Sequence, residues 1–560
     1  MKKTTKKDEQ FLWEHYYDED KLSIEIPDVS LYEYMIEETK DYKNNFAINY
    51  FGRKITYKLF WEYIDRCAKS FKSLGVREGD VVTICMPNTP EAVIAFFACN
   101  KIGAVANMIH PLSAEEEIKH YINSTKSVLL VAFNQCYNKI RNIIKDTNIY
   151  KVVIVSASES MPLILNGLYT VTKGRKEEKP KNNSLYIFWK EFLNYGNFYE
   201  GNLDVKKGKE DVAVILHSGG TTGIPKSIVL PNRCFTGINE QAKIGFPNLY
   251  PGDSILTILP LCHCFGLVVC VYAPLCLGVN CILVPTFDAK RFDKLLTKYH
   301  PNVIAGVPTL YEALVKNEHM NGVELSQVKY VISGGDSLSV QRNKVVNEFL
   351  ASHGCEVGIT QGYGMTETAG PASFGMLGSD KLGSVGIPLI GNIFKIVVPE
   401  TNKELKPGET GEICINSVAS MIGYLNNEEE TKKTFKLHDD GRYYIHTGDL
   451  GYMDEDGVIF YVLRIKRIII SSGYNVYPQH IENVLRDNKY IKDACVVGVP
   501  HPYKQEVAKA FIILEDGVEE SYTVKKNIMD YAKKNLAHYM LPREYIFKKE
   551  FPKTKVAKTD

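Results

Sequence analysis

The stretch Ser218-Gly219-Gly220-Thr221-Thr222-Gly223-Ile224-Pro225-Lys226 is the most informative part of this chain. It follows the apolar run 212–216, which predicts a buried strand. Its glycines let backbone N–H groups approach an anion, its hydroxyls add donors, and its lysine adds a cation. Because Pro225 precedes Lys226, the stretch departs from the P-loop pattern. It predicts a phosphate-binding loop of another kind, with an ordinary surface turn as the alternative.

The composition is that of an ordinary globular chain. Its 560 residues allow several domains, and its hydrophobic and charged fractions are 45% and 24%. The formal net charge of +1 supplies no global field, so we expect no nucleic-acid partner. Thirteen cysteines without paired spacing are typical of a reduced, cytoplasmic protein. No apolar segment follows the charged residues 1–9, which argues against a secretory signal.

One long segment carries no charged residue. Residues 254–287 contain no Asp, Glu, Lys or Arg, and the segment is longer than the ~20 apolar residues that a membrane-spanning helix needs. Pro260, Pro274 and Gly278 interrupt it. The pattern therefore predicts buried strands and a buried helix, and a membrane transporter is the weaker alternative.

Apolar runs alternate with amphipathic helical stretches through much of the first 350 residues. A helix is expected over 90–103. Strands are expected over 81–86, 103–109, 127–132, 151–155, 212–216 and 330–333. This alternation is typical of an α/β fold with mainly parallel sheets and flanking helices. Ligands of such sheets bind beyond the carboxyl ends of the strands, which is where the 218–226 loop follows its strand.

The pattern changes towards the carboxyl terminus. From Glu412 short strands and hairpins predominate, with Asp456-Gly457 at a predicted turn, which indicates a β-rich subdomain. After Arg464 a small α+β region follows. We therefore predict a large domain over 1–463 and a small domain over 464–560.

A second apolar stretch lies at 161–169 and precedes the basic residues Lys173, Arg175 and Lys176. The pattern favours a solvated loop after a packed helix. Weak peripheral contact with a lipid membrane is the alternative.

Five further segments carry side chains suited to chemistry. They are 260–266, 333–338, 361–367, 446–449 and 552–558. In the first, His263 suits the wall of an organic-acid pocket, with a core histidine as the alternative. Its neighbours Cys262 and Cys264 make a poor zinc site with it, because adjacent residues point apart.

The other segments suit the parts of a nucleotide. Gly334-Gly335 permits a flat ring to lie against the backbone. Tyr363 can stack on a base, and Glu367 can hold Mg²⁺ through oxygen. Asp449 suits a ribose diol. Lys558, two residues from the end of the sequence, indicates nothing when taken alone.

Taken in order, these segments resemble the acyl- and aryl-adenylating superfamily. That superfamily includes acyl-CoA synthetases, coumarate-CoA ligases, luciferases and peptide-synthetase adenylation domains. The resemblance extends from about Tyr50 to Lys558 and also covers 408–412 and 464–482. It implies use of ATP, Mg²⁺ and coenzyme A, in a large α/β domain followed by a small mobile α+β domain. Ser227 departs from the family pattern, in which glycine is usual.

The resemblance implies a role for each motif residue. The β- and γ-phosphates would contact Ser218, Gly219, Gly220, Thr221, Thr222, Gly223 and Lys226. The AMP part would contact Gly334, Gly335, Asp336, Gly362, Tyr363, Gly364, Met365, Thr366, Asp449 and Arg464. Mg²⁺ would bind Glu367, with Thr221 as a second candidate ligand. Lys558 would bridge the acid's carboxylate and the α-phosphate, with Thr366, Glu367 and His263 beside the reacting groups.

The resemblance also implies two half-reactions served by one moving domain. The small domain would rotate about a hinge at Lys466. Lys558 would then leave, and the loop containing Ser472, Gly473 and Tyr474 would replace it beside the pantetheine arm.

The residues that the resemblance places around the acid indicate which substrate to expect. Those residues, which include Phe265 and Phe374, are neutral or apolar. They favour medium- or long-chain fatty acids, with aryl acids second. Coenzyme A is the expected acceptor, with a carrier protein second, and the chain is expected to be a monomer or homodimer. The alternative of a different class is a nucleotide-binding homologue without catalytic activity.

Overall fold

The computed structural model describes residues 11–172, 174, 180, 184–203, 205–218, 226–467, 469–471, 474–501 and 505–552. The chain forms two compact units. The first comprises Met1–Ile393, Asn416–Leu437 and Arg442–Ile445, and the second comprises Phe394–Ile415, His438–Gly441 and His446–Asp560. The domain boundary at 463/464 and the hinge at Lys466 stay predictions.

The strands lie throughout the chain. They are β1 (Phe46–Tyr50), β2 (Arg53–Thr56), β3 (Val81–Cys85), β4 (Val105–Ile109), β5 (Leu129–Phe133), β6 (Lys151–Val155), β7 (Tyr186–Phe188), β8 (Val212–Ser218), β9 (Lys226–Pro231), β10 (Ser254–Thr257), β11 (Asn280–Leu283), β12 (Val303–Gly306), β13 (Tyr330–Ser333), β14 (Ile359–Met365), β15 (Gly370–Phe374), β16 (Ile387–Pro388), β17 (Ile393–Val397), β18 (Gly411–Asn416), β19 (Gly423–Tyr424), β20 (Phe435–Leu437), β21 (Tyr443–Met453), β22 (Ile459–Arg464), β23 (Ile469–Ser471), β24 (Tyr474–Val476), β25 (Ile491–His501), β26 (Gln505–Leu514) and β27 (Glu544–Phe547).

The α-helices mostly connect parallel strands. They are α1 (Leu31–Thr39), α2 (Tyr57–Ser73), α3 (Pro90–Lys101), α4 (Glu115–Ser124), α5 (Tyr137–Ile143), α6 (Leu163–Val171), α7 (Trp189–Tyr195), α8 (Asn232–Gly245), α9 (Ala273–Cys276), α10 (Phe292–Tyr299), α11 (Pro308–Val315), α12 (Val340–Ser352), α13 (Glu428–Thr434), α14 (Pro478–Arg486) and α15 (Tyr522–Asn535). A π-helix, Phe265–Tyr272, leads into α9. Short 3-10 turns lie between several of these elements.

Local chemistry explains where these helices begin. At α3 the Thr89 hydroxyl accepts the Ala92 N–H, and Pro90 occupies the first turn, where its missing N–H costs nothing. Ser521 caps α15 in the same way, by accepting the Val524 N–H. Since α3 is buried on nearly all sides, its stability comes from packing rather than from an amphipathic face.

Two large sheets organise the first unit. One has nine strands in the order β16-β15-β14-β13-β12-β10-β11-β1-β2 and is parallel from β14 through β1. The other has eight strands in the order β19-β9-β8-β4-β3-β5-β6-β7 and is parallel from β8 through β7. Both become antiparallel at β14–β15 and β8–β9, so the chain turns back there and leaves loops at the strand ends.

The second unit is mainly antiparallel. The strands β17, β18, β21 and β22 form consecutive pairs, and β24-β23-β26-β25 form a separate sheet to which β27 adds a parallel strand. The helices α14 and α15 pack against that second sheet through an apolar core that includes Ile481, Leu485 and Ile528.

The observed architecture confirms the predicted fold class: parallel sheets with helices in a large amino-terminal part, and a small α+β carboxyl-terminal part. The strands expected from apolar runs are present, with ends that shift by one or two residues. The uncharged segment 254–287 forms β10, the π-helix, α9 and β11, as predicted. Across the described ranges, no helix has both the length and the apolar character needed to cross a bilayer.

Candidate active site

The two ends of the predicted phosphate loop meet at the edge of the eight-stranded sheet. Ser218 ends β8 and pairs in register with Lys226, which begins β9. The residues between them, including Gly219, Gly220, Thr221, Thr222 and Gly223, lie outside the described residues. The structure therefore fixes the base of the loop and leaves its predicted phosphate contacts as predictions.

A buried histidine supports this base. His217 lies between Asn107 Oδ1, 2.6 Å from its Nε2, and the Ser227 hydroxyl, 3.0 Å from its Nδ1. Because an amide oxygen accepts, Nε2 carries the proton and Nδ1 accepts from Ser227. Burial, and secondarily His120, lower the pKa of His217 to about 3. The ring therefore stays neutral, and Ser227 gives it a hydrogen-bond donor.

The end of β14 carries the next group of predicted residues. Gly362, Tyr363, Gly364 and Met365 lie on this strand and pair with β15. A Cβ atom on Gly364 would lie 1.9 Å from the Gly370 carbonyl oxygen, so this position admits glycine alone without moving the backbone. On Gly362 a Cβ atom would meet the edge of the Phe374 ring at 3.0 Å, which a side-chain shift can relieve.

Glu367 is a buried carboxylate directly after β14. It lies in the 3-10 turn Thr366–Thr368, where it is 6% exposed. Its main-chain oxygen accepts the Met421 N–H at 2.8 Å, and its Oε1 accepts the Tyr424 hydroxyl at 2.8 Å. A buried charge needs such a donor, because desolvation would otherwise favour its neutral form.

Tyr424 connects this carboxylate to the predicted phosphate lysine. The strand β19 pairs with β9 so that Tyr424 lies beside Ile228, two residues from Lys226. The Lys226 ammonium lies 4.5 Å from the centre of the Tyr424 ring and forms an ion pair with Glu430. Burial, and then the charge of Glu367, raise the pKa of the Tyr424 phenol well above its usual range. Tyr424 therefore remains a hydrogen-bond donor with a cation over its face.

The end of β13 supplies the predicted adenine contacts. Gly334 is buried, Gly335 has φ of +78°, and Asp336 is exposed and accepts the Ser337 N–H at 2.8 Å. A Cβ atom on Gly334 would lie 3.2 Å from the Phe265 ring and 3.5 Å from the Gly362 carbonyl oxygen. The backbone of β13, the backbone of β14 and an aromatic ring therefore meet here.

His263 lies just before the π-helix, a local structure often found at functional sites. Its Nδ1 accepts the Phe265 N–H at 3.2 Å, which leaves Nε2 as the protonated nitrogen of the neutral ring. The next residue, Cys264, contacts the Thr366 hydroxyl at 3.8 Å. The structure thus brings the 260–266 and 361–367 motifs together.

The remaining predicted residues belong to the second unit. Asp449 on β21 is buried and accepts from Arg464 Nε on β22 at 3.1 Å. Lys466 lies in the 3-10 turn Ile465–Arg467 and Tyr474 begins β24, while their side chains lie outside the described part. Ser472, Gly473 and Lys558 lie outside it entirely.

The sequence predicts Glu367 and Lys226 as site residues but does not predict their partners. Tyr424 and Glu430 carry no motif, and each lies far along the chain from the group it contacts: 57 residues for Tyr424 and Glu367, and 204 for Glu430 and Lys226. His217 was also missed, although it lies next to the quoted loop. An apolar strand ending in a histidine was the one available signal.

The chain matches known sequences over most of its length. The profile of the AMP-binding enzyme family matches residues 36–425, and that of the AMP-binding enzyme C-terminal domain matches residues 480–558. The chain is 28% identical to a long-chain-fatty-acid–CoA ligase of Bacillus subtilis, covering 95% of this chain and 93% of the relative. It is 31% identical to a probable 4-coumarate–CoA ligase of Dictyostelium discoideum, covering 86% and 85%.

A solved structure shares the fold. ATP-bound MatB from Rhodopseudomonas palustris superposes with a TM-score of 0.81 at 23% identity, over 95% of this chain and 97% of that one. The family profile covers more than half of the chain and includes the quoted loop, β14 and Tyr424. This chain belongs to the AMP-binding enzyme family.

Proposed function

We propose that the chain is an ATP-dependent, AMP-forming acyl-CoA synthetase. A carboxylic acid would attack the α-phosphate of ATP to give acyl-AMP and pyrophosphate. The thiol of coenzyme A would then displace AMP and yield the thioester. Family membership and the ligases among the relatives support this proposal. The observation that carries it is the convergence of Lys226, Tyr424 and Glu367 at the base of a phosphate-type loop.

The donor set at Glu367 fits Mg²⁺. A buried carboxylate and the hydroxyl of the adjacent Thr366 are hard oxygen donors, which Mg²⁺ prefers. When bound, the ion would neutralise phosphate charge and orient the triphosphate. Thr221 as a further ligand stays a prediction, because it lies outside the described residues.

The chain's own residues would bind and align the nucleotide. Lys226 would offset charge on the β- and γ-phosphates, and Asp449 would accept from the ribose hydroxyls while Arg464 holds its carboxylate. The attacking carboxylate and the phosphate repel each other, so positioning and cations carry the catalysis. Lys558 is the proposed cation between them.

An apolar acid suits the proposed pocket. The residues predicted to surround it include Phe265 and Phe374, whose rings lie against the backbones of Gly334 and Gly362. We therefore place medium- or long-chain fatty acids first. Aryl acids come second, supported by the coumarate ligases among the relatives.

Peripheral membrane contact would suit a lipid-derived acid. The helix α6 buries none of its residues, and Leu163 and Ile164 are 91% and 87% exposed. Liposome flotation tests this proposal. The Leu163→Gln/Ile164→Gln double variant should bind anionic vesicles less than the unmodified chain, and equal flotation would contradict it.

The decisive experiment measures pyrophosphate and AMP release with a panel of octanoate, palmitate, 4-coumarate and benzoate, with and without coenzyme A. We expect acid-dependent pyrophosphate release, with multiple-turnover AMP release that requires coenzyme A. Glu367→Gln should lower both by roughly 10²–10³-fold, to a residual rate that can still be measured. Glu356→Gln, at an exposed glutamate outside the site, should lower neither. Nucleotide binding without acid-dependent exchange of labelled pyrophosphate into ATP would instead indicate the non-catalytic homologue.

A further inference from the structure

Three buried side chains of the second unit form a cluster of metal-ligating type. They are Cys414 on β18, His438 after β20, and His446 on β21. Their exposed fractions are 0%, 4% and 9%. One ligand atom from each lies within 4.8 Å of the others. We propose that Cys414, His438 and His446 bind a zinc ion.

The two histidines present their nitrogens to each other as ligands of one ion would. Their Nε2 atoms lie 3.1 Å apart. An ion ~2.05 Å from both nitrogens would hold them ~98° apart, close to a tetrahedral angle. A tetrahedral site places sulfur and nitrogen ~3.6 Å apart. The ligand atoms here lie within 4.8 Å of one another, so a shift of at most ~1.2 Å brings in the thiolate.

Glu412 orients one of these rings. Its Oε2 accepts from His446 Nδ1 at 2.9 Å, and its Oε1 accepts the Gly448 N–H at 3.0 Å. The proton of a neutral His446 therefore sits on Nδ1, and the lone pair of Nε2 points towards His438. A carboxylate that fixes the tautomer of a histidine in this way is typical of zinc-bound histidines.

The charge of the cluster also suits a divalent ion. A Cys414 thiolate and the Glu412 carboxylate together carry two negative charges, and Zn²⁺ cancels them. The thiolate, the carboxylate and the ion together therefore carry no net charge when buried. Without the ion, the Glu412 carboxylate is a buried charge stabilised by its hydrogen bonds. Imidazole and thiolate together favour zinc over Mg²⁺ or Ca²⁺.

The ion would join three separate parts of the second unit. It would connect β18 to β21 and to the segment 438–441. On β21, His446 lies three residues before the proposed ribose ligand Asp449. The sequence does not predict this site, because the three ligands are spaced irregularly and none forms a compact pair.

Metal content of the full chain tests the proposal. We expect about one zinc per chain by mass spectrometry after exposure to equimolar zinc, with a phosphine reductant, and dialysis. Cys414→Ser and His438→Gln should each lower this by at least fivefold. The matched controls Cys355→Ser and His353→Gln, which change the same residue types in the first unit, should retain it.

A second readout does not depend on the variants folding. Cobalt bound in place of zinc in the unmodified chain should show thiolate-to-cobalt charge transfer and intense visible bands of tetrahedral type. Any one of three results would overturn the proposal. They are less than about 0.1 zinc per unmodified chain, equal zinc content in the variants and the controls, and bound cobalt without the charge-transfer band. None of these measurements depends on ligase activity, so they can fail while the proposed function holds.

Discussion

Tyr424→Phe isolates the contact on which the proposed site depends. The variant removes the hydroxyl that donates to Glu367 Oε1 at 2.8 Å, between side chains that are 7% and 6% exposed. A hydrogen bond to a charged group contributes about 1.5–3 kcal/mol, because a buried carboxylate without its donor is poorly solvated. If Glu367 holds the metal that orients the triphosphate, kcat/KM for ATP should fall by roughly 10–150-fold.

The assay is acid-dependent exchange of labelled pyrophosphate into ATP, run as a double-mutant cycle. The four proteins are the unmodified chain, Tyr424→Phe, Glu367→Gln and the double variant. Once the carboxylate is gone, the hydroxyl has no charge to hold, so adding Tyr424→Phe to Glu367→Gln should cost little. The coupling energy should therefore approach the effect of Tyr424→Phe alone.

Tyr57→Phe is the matched control. It removes the same atom from a buried tyrosine that donates to the main-chain oxygens of Leu275 and Val279. It should lower the melting temperature and leave kcat/KM for ATP nearly unchanged. Additive losses in the cycle, or a Tyr424→Phe variant as active as Tyr57→Phe, would refute the role given to Tyr424.

Three further predictions follow from other parts of the molecule. Glu91 is buried and its pKa is raised from 4.5 to about 7, so the folded chain keeps a proton that the unfolded chain loses. The free energy of unfolding of Glu91→Gln should therefore rise relative to that of the unmodified chain as pH increases from 4.5 to 7, and above pH 7 the difference should be about 3 kcal/mol. Melting temperatures of the two proteins across this pH range measure it, and a difference independent of pH would contradict the prediction. Gly364→Ala should greatly reduce the yield of folded protein, because its Cβ atom meets backbone, while Gly362→Ala should fold; equal yields would show that β15 moves freely. Lys558→Ala should abolish acyl-adenylate formation and spare thiolysis of supplied acyl-adenylate, measured as separate half-reactions, and equal loss of both would remove Lys558 from its role.

The sequence predicted most of the parallel core because each core element has a local cause. The runs that became β3, β6 and β13 are short, apolar and rich in β-branched residues, as buried parallel strands are. The helix α3 was predicted from its pattern, and its capping residue Thr89 explains its start. The division into two units has no such local signal. The second unit includes Phe394–Ile415 and His446–Asp560, and this grouping depends on pairing between distant strands.

The chemical groups of the candidate site can be predicted from the sequence, but their arrangement in space cannot. Glu367 and Lys226 lie in motifs whose residue types suit phosphate and metal, so a sequence suffices to nominate them. Their meeting point depends on β19, a two-residue strand that pairs with β9. Nothing in so short a strand predicts that pairing, because its register is set by the surrounding fold rather than by its own pattern.

Three of the predicted charges share one further property, which bears on how the site would work. Each has a partner of opposite or complementary character: Lys226 pairs with Glu430, Glu367 accepts from Tyr424, and Asp449 accepts from Arg464. Because their partners already hold these side chains in place, ligand binding costs little further conformational entropy. A nucleotide that engages Lys226 must, however, compete with Glu430 for the ammonium. Phosphate oxygens offer more charge than a carboxylate, so a triphosphate would win that competition more readily than a monophosphate, and the site would favour binding of ATP over retention of AMP.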